Sequence, residues 1–328
     1  MADSLRVGVV GSGYMAGIHL RSWRTLGVPL SVYSTGGNVA ERATANRAAR
    51  HGSLAELIDS CDVVDICTPP ASHLSIASAA AAAGRQVICE KPMARSHSEA
   101  LELIDVCERA GVHLLIAHVV RYFPQYAAAS QTVAADRVGN LAVLRLSRRT
   151  AMPSQHWYAD DEHSGGVLVD LMIHDFDFAR WVAGEVETIF AKVTHASSGT
   201  STGYAMMRHT GGALSQLTGV WGPPGQRFSS SFNLSGSNGA VRFDNTMATA
   251  LQVDIGAPAA GDAPAAVVDE SAELRPYVLQ LADFADVISG ATTPRLTAID
   301  GLAALDLALA ARLSARTGRP TSPLEMAR

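Results

Sequence analysis

Asp170 and His174 stand four residues apart in the run Ser164–Gly165–Gly166–Val167–Leu168–Val169–Asp170–Leu171–Met172–Ile173–His174–Asp175–Phe176–Asp177. The glycine pair opens what reads as one helix running to about Gly184, where a C-cap glycine is expected. On a helix of 3.6-residue period this spacing puts the carboxylate and the imidazole on one face. A carboxylate beside an imidazole fixes its tautomer and stabilises its charged form, which suits proton transfer near neutral pH. Asp177 falls on the same face, so Asp170, His174 and Asp177 could also serve as metal donors. The chemistry developed below needs no metal, and none is expected.

A second pattern lies at the other end of the chain. Val7–Gly8–Val9–Val10–Gly11–Ser12–Gly13–Tyr14–Met15–Ala16–Gly17 fits the dinucleotide fingerprint, with Ala at the third small position. It follows an apolar strand and opens a helix. Gly11 would make the tight turn, Gly13 would admit a pyrophosphate, and Ala16 and Gly17 would let helix and strand sit close. The helix N-terminus would face the anion. Ser12, Tyr14 and Met15 lie in that turn and join Gly11 and Gly13 as candidate cofactor contacts. The bland alternative is a tight strand-to-helix turn with no ligand. A ribose would be read about 20 residues further on. There the chain has Tyr33–Ser34–Thr35–Gly36–Gly37, with no carboxylate. The hydroxyls of Ser34 and Thr35 suit a 2′-phosphate, with Arg42 or Arg47 as neighbours. The cofactor is therefore expected to be NAD or NADP, with a slight lean to NADP.

Strands and helices alternate over the first ~120 residues, the doubly wound nucleotide-binding pattern. Leu5–Val10 is a continuous apolar run, as for a strand buried on both faces. A helix over Met15–Leu26 and a strand at Leu30–Tyr33 follow. Helical stretches near Ala40–Arg50 and Ser53–Ile58 precede a strand at Val63–Cys67. His73–Ala83 reads as helix, Gln86–Cys89 as strand, and Ser96–Ala110 as a helix opened by a Ser96/Glu99 capping box. Val112–Ala117 is one more strand, and His118 and Arg121 then fall near the carboxyl edge of the sheet, where open α/β folds bind ligands. After Tyr122–Phe123–Pro124 the texture changes. A helix over Gln125–Arg137 and a strand near Leu141–Thr150 lead to the glycine-opened helix. Six strand-like runs follow between Val186 and Ile255, then a loop over Ala257–Ala266 and helices over Glu273–Ser289 and Ala298–Thr317. The expected fold is α/β: a parallel sheet domain over residues 1–120, then an α+β domain over 121–328 with an open, mainly antiparallel sheet. One free sheet face predicts a homodimer or homotetramer.

The chain has 328 residues, 48% of them hydrophobic, and a formal net charge of -5. At roughly 150 residues per domain this allows two cores. An acidic balance without a Lys/Arg run excludes a nucleic-acid groove or a membrane-surface patch. No apolar run reaches the ~18–20 residues of a membrane span. Met1–Ala2–Asp3–Ser4 leads straight into a strand without signal-peptide features, so a cytoplasmic protein is expected. Cys61, Cys67, Cys89 and Cys107 form no close pair and read as buried thiols.

Glu90–Lys91–Pro92 follows the strand at Gln86–Cys89. Alone, a Lys-Pro step is usually a strand end forcing an extended residue. Together with Gly11–Ser12–Gly13 and the Gly165–Gly166…Asp170…His174 segment, in that order and spacing, it resembles the glucose-fructose oxidoreductase/inositol dehydrogenase (Gfo/Idh/MocA) family over essentially the whole chain. His19 after the glycine turn, Trp157 ahead of the glycine pair and Arg121–Tyr122–Phe123–Pro124 as the crossover are similar too. So is Thr68–Pro69–Pro70 with His73, the segment that lies against the dinucleotide in that family. The resemblance implies a Rossmann domain in which Thr68, Pro69, His73, Glu90 and Lys91 add to the cofactor contacts. It also implies that Lys91, Asp170 and His174 surround the substrate carbinol. His118, Arg121 and Trp157 are further candidates for the substrate pocket, against simple junction or core roles.

The implied reaction is NAD(P)-dependent interconversion of an alcohol and a ketone or aldehyde on a sugar, inositol or related polyol. His174 would exchange the hydroxyl proton, Asp170 would orient it, and Lys91 would stabilise the developing charge on oxygen. Lys91 becomes the proton acceptor instead if burial depresses its pKa. A glycoside-cleaving enzyme that retains its NAD, and a non-catalytic sugar-sensing regulator, are the alternatives on the same scaffold.

Overall fold

The computed structural model describes residues 5–154, 158, 160–196, 199–247, 250–255 and 274–327. The chain divides into two compact units, Met1–Tyr122 with Ser271–Leu302, and Phe123–Glu270 with Ala303–Arg328. The expected single boundary after residue 120 thus becomes three crossings. The cause is the late helix Arg275–Ile288, whose Leu281, Phe284 and Val287 are buried in one cluster with Val7, Val9, Leu20, Trp23 and Val32 of the first unit.

In the first unit, β1 (Val7–Val10), α1 (Tyr14–Thr25), β2 (Leu30–Tyr33), α2 (Val39–Asn46), β3 (Ala49–Arg50), α3 (Leu54–Ser60), β4 (Val63–Ile66), α4 (His73–Ala82), β5 (Gln86–Glu90), α5 (His97–Ala110) and β6 (Leu114–Ala117) alternate. The sheet order is β3-β2-β1-β4-β5-β6, and every pairing is parallel. This is the doubly wound order, with its switch point beside β1. β1, β4 and β6 are buried throughout, as the apolar runs demand of strands covered on both faces. Ser53 and Ser96 cap α3 and α5 by accepting from the N–H of Glu56 and Glu99. The helix expected to run to Arg50 stops at Asn46. Arg47 turns left-handed at φ 55°, and two residues then pair with β2 as an edge strand too short to leave a periodic signal.

The second unit holds α6 (Pro124–Ala134), β7 (Leu141–Ala151), the short α7 (Asp161–Ser164), a π-helical turn (Val167–Leu171), α8 (Ile173–Ala183) and β8 to β13 (Val186–His195, Ser201–His209, Leu214–Gly222, Ser229–Gly236, Gly239–Asp244 and Leu251–Ile255). The last six strands and β7 form one sheet in the order β13-β12-β11-β7-β10-β9-β8. Only β10 against β7 is parallel, so the sheet is mainly antiparallel as expected. Leu144, Leu146 and Arg148 of β7 face the core while Arg145 and Arg149 face out. Tyr126, Phe178 and Phe232 pack edge to face at 4.7 and 5.0 Å between ring centroids, a geometry that adds to their area burial. The expected loop over 257–266 lies outside the described residues. All four cysteines are free and buried, and burial pushes the Cys61 and Cys107 thiols up to about 11. Among the described residues no helix is long and apolar enough to cross a membrane.

Candidate active site

In the first unit the candidates gather where the parallel strands end. Gly11 has φ 131°, and a Cβ there would stand 2.6 Å from the Cys67 carbonyl oxygen, so only glycine fits this turn. A Cβ at Gly13 would meet nothing within 4 Å, leaving open the approach to the α1 N-terminus that a pyrophosphate requires. Gly17 differs from expectation. Its missing side chain makes room for the Arg42 guanidinium, 2.4 Å from where a Cβ would lie, rather than for a strand. Arg42 Nε also donates to the Ser12 carbonyl at 3.4 Å. Ser12 and Ser34 hydroxyls meet at 3.0 Å, and the Gly36 N–H donates to Ser34 Oγ at 3.0 Å. The end of β2 is therefore built from hydroxyls with a guanidinium beside them. Tyr14 is largely exposed.

Two expected contacts turn inward. His73 is buried, with Nε2 2.8 Å from the Thr68 carbonyl and Nδ1 3.3 Å from that of Met93. Burial first of all lowers its pKa, so the neutral ring is spent on holding the Thr68–Pro69 loop. Glu90 is buried as well. Its Oε2 accepts from the Lys91 N–H at 3.0 Å, and its Oε1 lies 3.0 Å from His19 Nε2. Arg121 is buried, donates to the Arg295 carbonyl at 3.5 Å and stands 3.8 Å from Asp300. Both partners belong to the same unit as Arg121, so these contacts give it a structural role within that unit. His118 is likewise buried. Lys91 leaves β5 partly exposed, joined to Pro92 by a cis peptide.

In the second unit, the continuous helix expected from Gly165 to Gly184 is interrupted. Gly165 and Gly166 take φ 78° and 65°, the chain winds as a π turn over Val167–Leu171, and α8 starts at Ile173. Asp170 and His174 therefore do not share a face through 3.6-residue spacing, because a π turn shifts every later side chain around the axis. Burial supplies another basis: within residues 166–179 only Asp170 and His174 escape full burial. Trp157 lies outside the described residues. Tyr158 sets its ring edge-on to Trp221, 5.9 Å away.

What seats this turn was not singled out from the sequence. Gly203 of β9 and Gly219 of β10 are cross-strand partners. A Cβ at either would fall 2.7 Å from Met172 Sδ or 2.4 Å from Met172 Cγ. Two glycines side by side thus let Met172, the residue between the π turn and α8, drop onto the sheet. The neighbour of Gly219 on β7 is Arg148, which grips Asp175 of α8 at 2.8 and 3.0 Å. Met172 and Asp175 thereby pin the backbone on both sides of His174. Gly219→Ala is expected to cost about 1–3 kcal/mol by overpacking and to lower turnover by moving Met172. Thermal unfolding and kcat measure both, and Met172→Ala added to Gly219→Ala should restore part of each.

Two models of one family match the chain: the oxidoreductase family with NAD-binding Rossmann fold over residues 5–118, and the GFO/IDH/MocA C-terminal domain over residues 126–242. The chain belongs to this Gfo/Idh/MocA oxidoreductase family. It is 29% identical to D-apiose dehydrogenase from Paraburkholderia graminis over 63% of its own length and 58% of that protein's. The chain thus spans less than two thirds of that relative. It is 28% identical to 1,5-anhydro-D-fructose reductase from Ensifer adhaerens over 96% of this chain and 97% of that one. Among solved structures, GenD2 from gentamicin A biosynthesis in complex with NAD superposes with a TM-score of 0.86 at 26% identity, covering 98% of this chain and 97% of that one.

Proposed function

We propose that this protein is an NAD(P)-dependent dehydrogenase or reductase that interconverts an alcohol and a carbonyl on a sugar, inositol or related polyol. The observation that carries the reading is the cofactor end of the first unit. A glycine turn with an open approach heads the doubly wound sheet, and Lys91 leaves the carboxyl end of β5 in that same sheet. The relatives named for apiose and anhydrofructose support the substrate class.

Gly11, Ser12, Gly13 and the loop Thr68–Pro69 would hold the dinucleotide, and a nicotinamide ring bound there supplies the hydride acceptor or donor. The chain's own residues handle the proton and the charge. His174 takes the hydroxyl proton on oxidation and returns it on reduction. Asp170 favours the charged imidazole, and Lys91 stabilises negative charge growing on the substrate oxygen. His118 and Trp157 are proposed to line the substrate pocket. The outward face of the second sheet, with Tyr204 and Met206 exposed, is proposed to join a second copy in a cytoplasmic homodimer or homotetramer; a monomer mass by light scattering would remove that.

We further propose NADP as the preferred cofactor, because Ser34, Thr35 and Arg42 offer donors at the end of β2 and no carboxylate repels a phosphate. Inositols, aldoses and anhydro- or deoxy-ketosugars assayed with NAD, NADP, NADH and NADPH test the whole reading by the change in nicotinamide absorbance. Turnover of at least one is expected. Arg42→Ala should lower kcat/KM for NADP about tenfold, the value of one charge-assisted contact, while barely changing it for NAD. A wild-type preference for NAD with a silent Arg42→Ala removes the NADP assignment. Absence of turnover across the panel removes the enzyme.

A further inference from the structure

A buried chain of charged groups runs beneath Lys91. Asp65 points from an otherwise apolar β4 and is fully buried, as is His19 of α1. His19 Nδ1 lies 2.9 Å from Asp65 Oδ2. The same carboxylate accepts from Trp23 Nε1 at 2.8 Å and from the Cys67 thiol at 3.6 Å. On its other side, His19 Nε2 comes within 3.0 Å of Glu90 Oε1. That approach lies off the N–H direction, so charge rather than a straight hydrogen bond holds it. Glu90 in turn receives the Lys91 N–H.

We propose that His19, bridging Asp65 and Glu90, is a positioning residue for Lys91: it holds the Glu90 carboxylate that fixes the Lys91 backbone, and so ties that lysine to the helix that opens at the dinucleotide turn. The inference rests on the reading that Lys91 serves the reaction. Two buried carboxylates on neighbouring strands repel unless a cation lies between them or one takes up a proton. Imidazolium spreads its charge over both ring nitrogens, so a single residue can answer Asp65 through an N–H bond and Glu90 through charge. Burial alone would drive the charge off His19, but the Asp65 carboxylate, with Cys67 beside it, more than offsets this and raises its pKa well above the ordinary value. The titratable groups around it are Asp65 and Cys67 from β4 and its end, and Glu90 and Cys89 from β5, with His73 of α4 against Cys89 at 3.2 Å. A folded-state pKa above the unfolded one stabilises the fold fully below the unfolded value of about 6.5, and that contribution is lost as pH rises through the higher folded value.

The test uses the full chain, His19→Leu, the near-isosteric Glu90→Gln, and Lys91→Met as reference. Imidazole nitrogen NMR of the protein without cofactor should show one ring, absent in His19→Leu, protonated at both nitrogens at pH 8. With NADP or NAD and the best polyol of the panel, Glu90→Gln and folded His19→Leu should lower kcat about 10- to 100-fold, as for residues that orient a reacting group. The cofactor KM should stay within about threefold, so that the loss sits in kcat. If His19→Leu fails to fold, Glu90→Gln and the wild-type spectrum decide. A neutral His19 at pH 8, an unchanged kcat, or a loss confined to cofactor KM overturns the inference. So does stoichiometric zinc in the purified protein, since donor atoms of His19, Asp65 and Cys67 lie within 4.8 Å of one another. An undiminished kcat in Lys91→Met overturns instead the functional reading beneath it.

Discussion

Lys91→Met should abolish turnover while leaving cofactor binding in place. Methionine keeps the length of the side chain and removes its charge. Loss of one preorganised charge on a developing oxyanion typically costs a hundred- to a thousandfold, so a drop in kcat of that size is expected. NADH and NADPH affinity, followed by nicotinamide fluorescence, should change by less than about threefold, because the loss belongs to the transition state rather than to uniform binding. Unfolding is not the expected cause: Lys91 is partly exposed, and its neighbour Glu90 is anchored by the Lys91 backbone N–H, which the substitution keeps. Turnover within tenfold of wild type would remove Lys91 from the chemistry. A sugar-binding response that survives unchanged, in a protein without turnover to begin with, would instead identify the regulator that shares this scaffold.

The doubly wound unit was legible because each of its signals is local. An apolar run of four to six residues, a glycine turn and a helix with a serine cap are all written within about ten residues. The second sheet was legible as strands but not as a topology, because the parallel pairing of β10 with β7 joins residues some 70 apart (Leu214 with Val143) and leaves no local trace. Lys91, Asp170 and His174 stood out through order and spacing. What supports them did not. Asp65 carried a usable signal, a carboxylate inside the run Val63–Val64–Asp65–Ile66–Cys67, since a charge in a doubly buried strand must be paired. Arg148 carried the same kind of signal, a cation at the inward position after Leu144 and Leu146. Gly203 and Gly219 carried none, as their meaning depends on a cross-strand partnership and on Met172 arriving from 31 and 47 positions away. The π turn is equally unreadable, because it differs from an α-helix by one added residue per turn and not by residue type.

Arg148→Met should be the most destabilising single change in the second unit. Arg148 and Asp175 are almost wholly shielded from solvent, with side chains 6% and 2% exposed and contacts of 2.8 and 3.0 Å. Arg148 also donates to Tyr126 Oη at 3.3 Å. Burial opposes the guanidinium's charge, yet Asp175 more than compensates and raises its pKa. Methionine fills much of the same volume but leaves the carboxylate of Asp175 in the core without its cation. Breaking a buried pair from one side costs about 3–5 kcal/mol. At about two to four degrees per kcal/mol for a unit of this size, thermal unfolding should fall by roughly 6–20 °C. Adding Asp175→Leu removes the orphaned charge, so the double variant should recover most of that loss, because a buried pair exchanged for apolar groups of similar volume is often neutral. Turnover then separates two roles that stability alone confounds. Asp175 adjoins His174, and its grip on β7 fixes the first turn of α8. If the double variant unfolds like wild type but kcat stays depressed, the ion pair aims His174. If kcat returns with stability, the pair only packs the helix, and Met172 on its glycine seat is left to aim the imidazole.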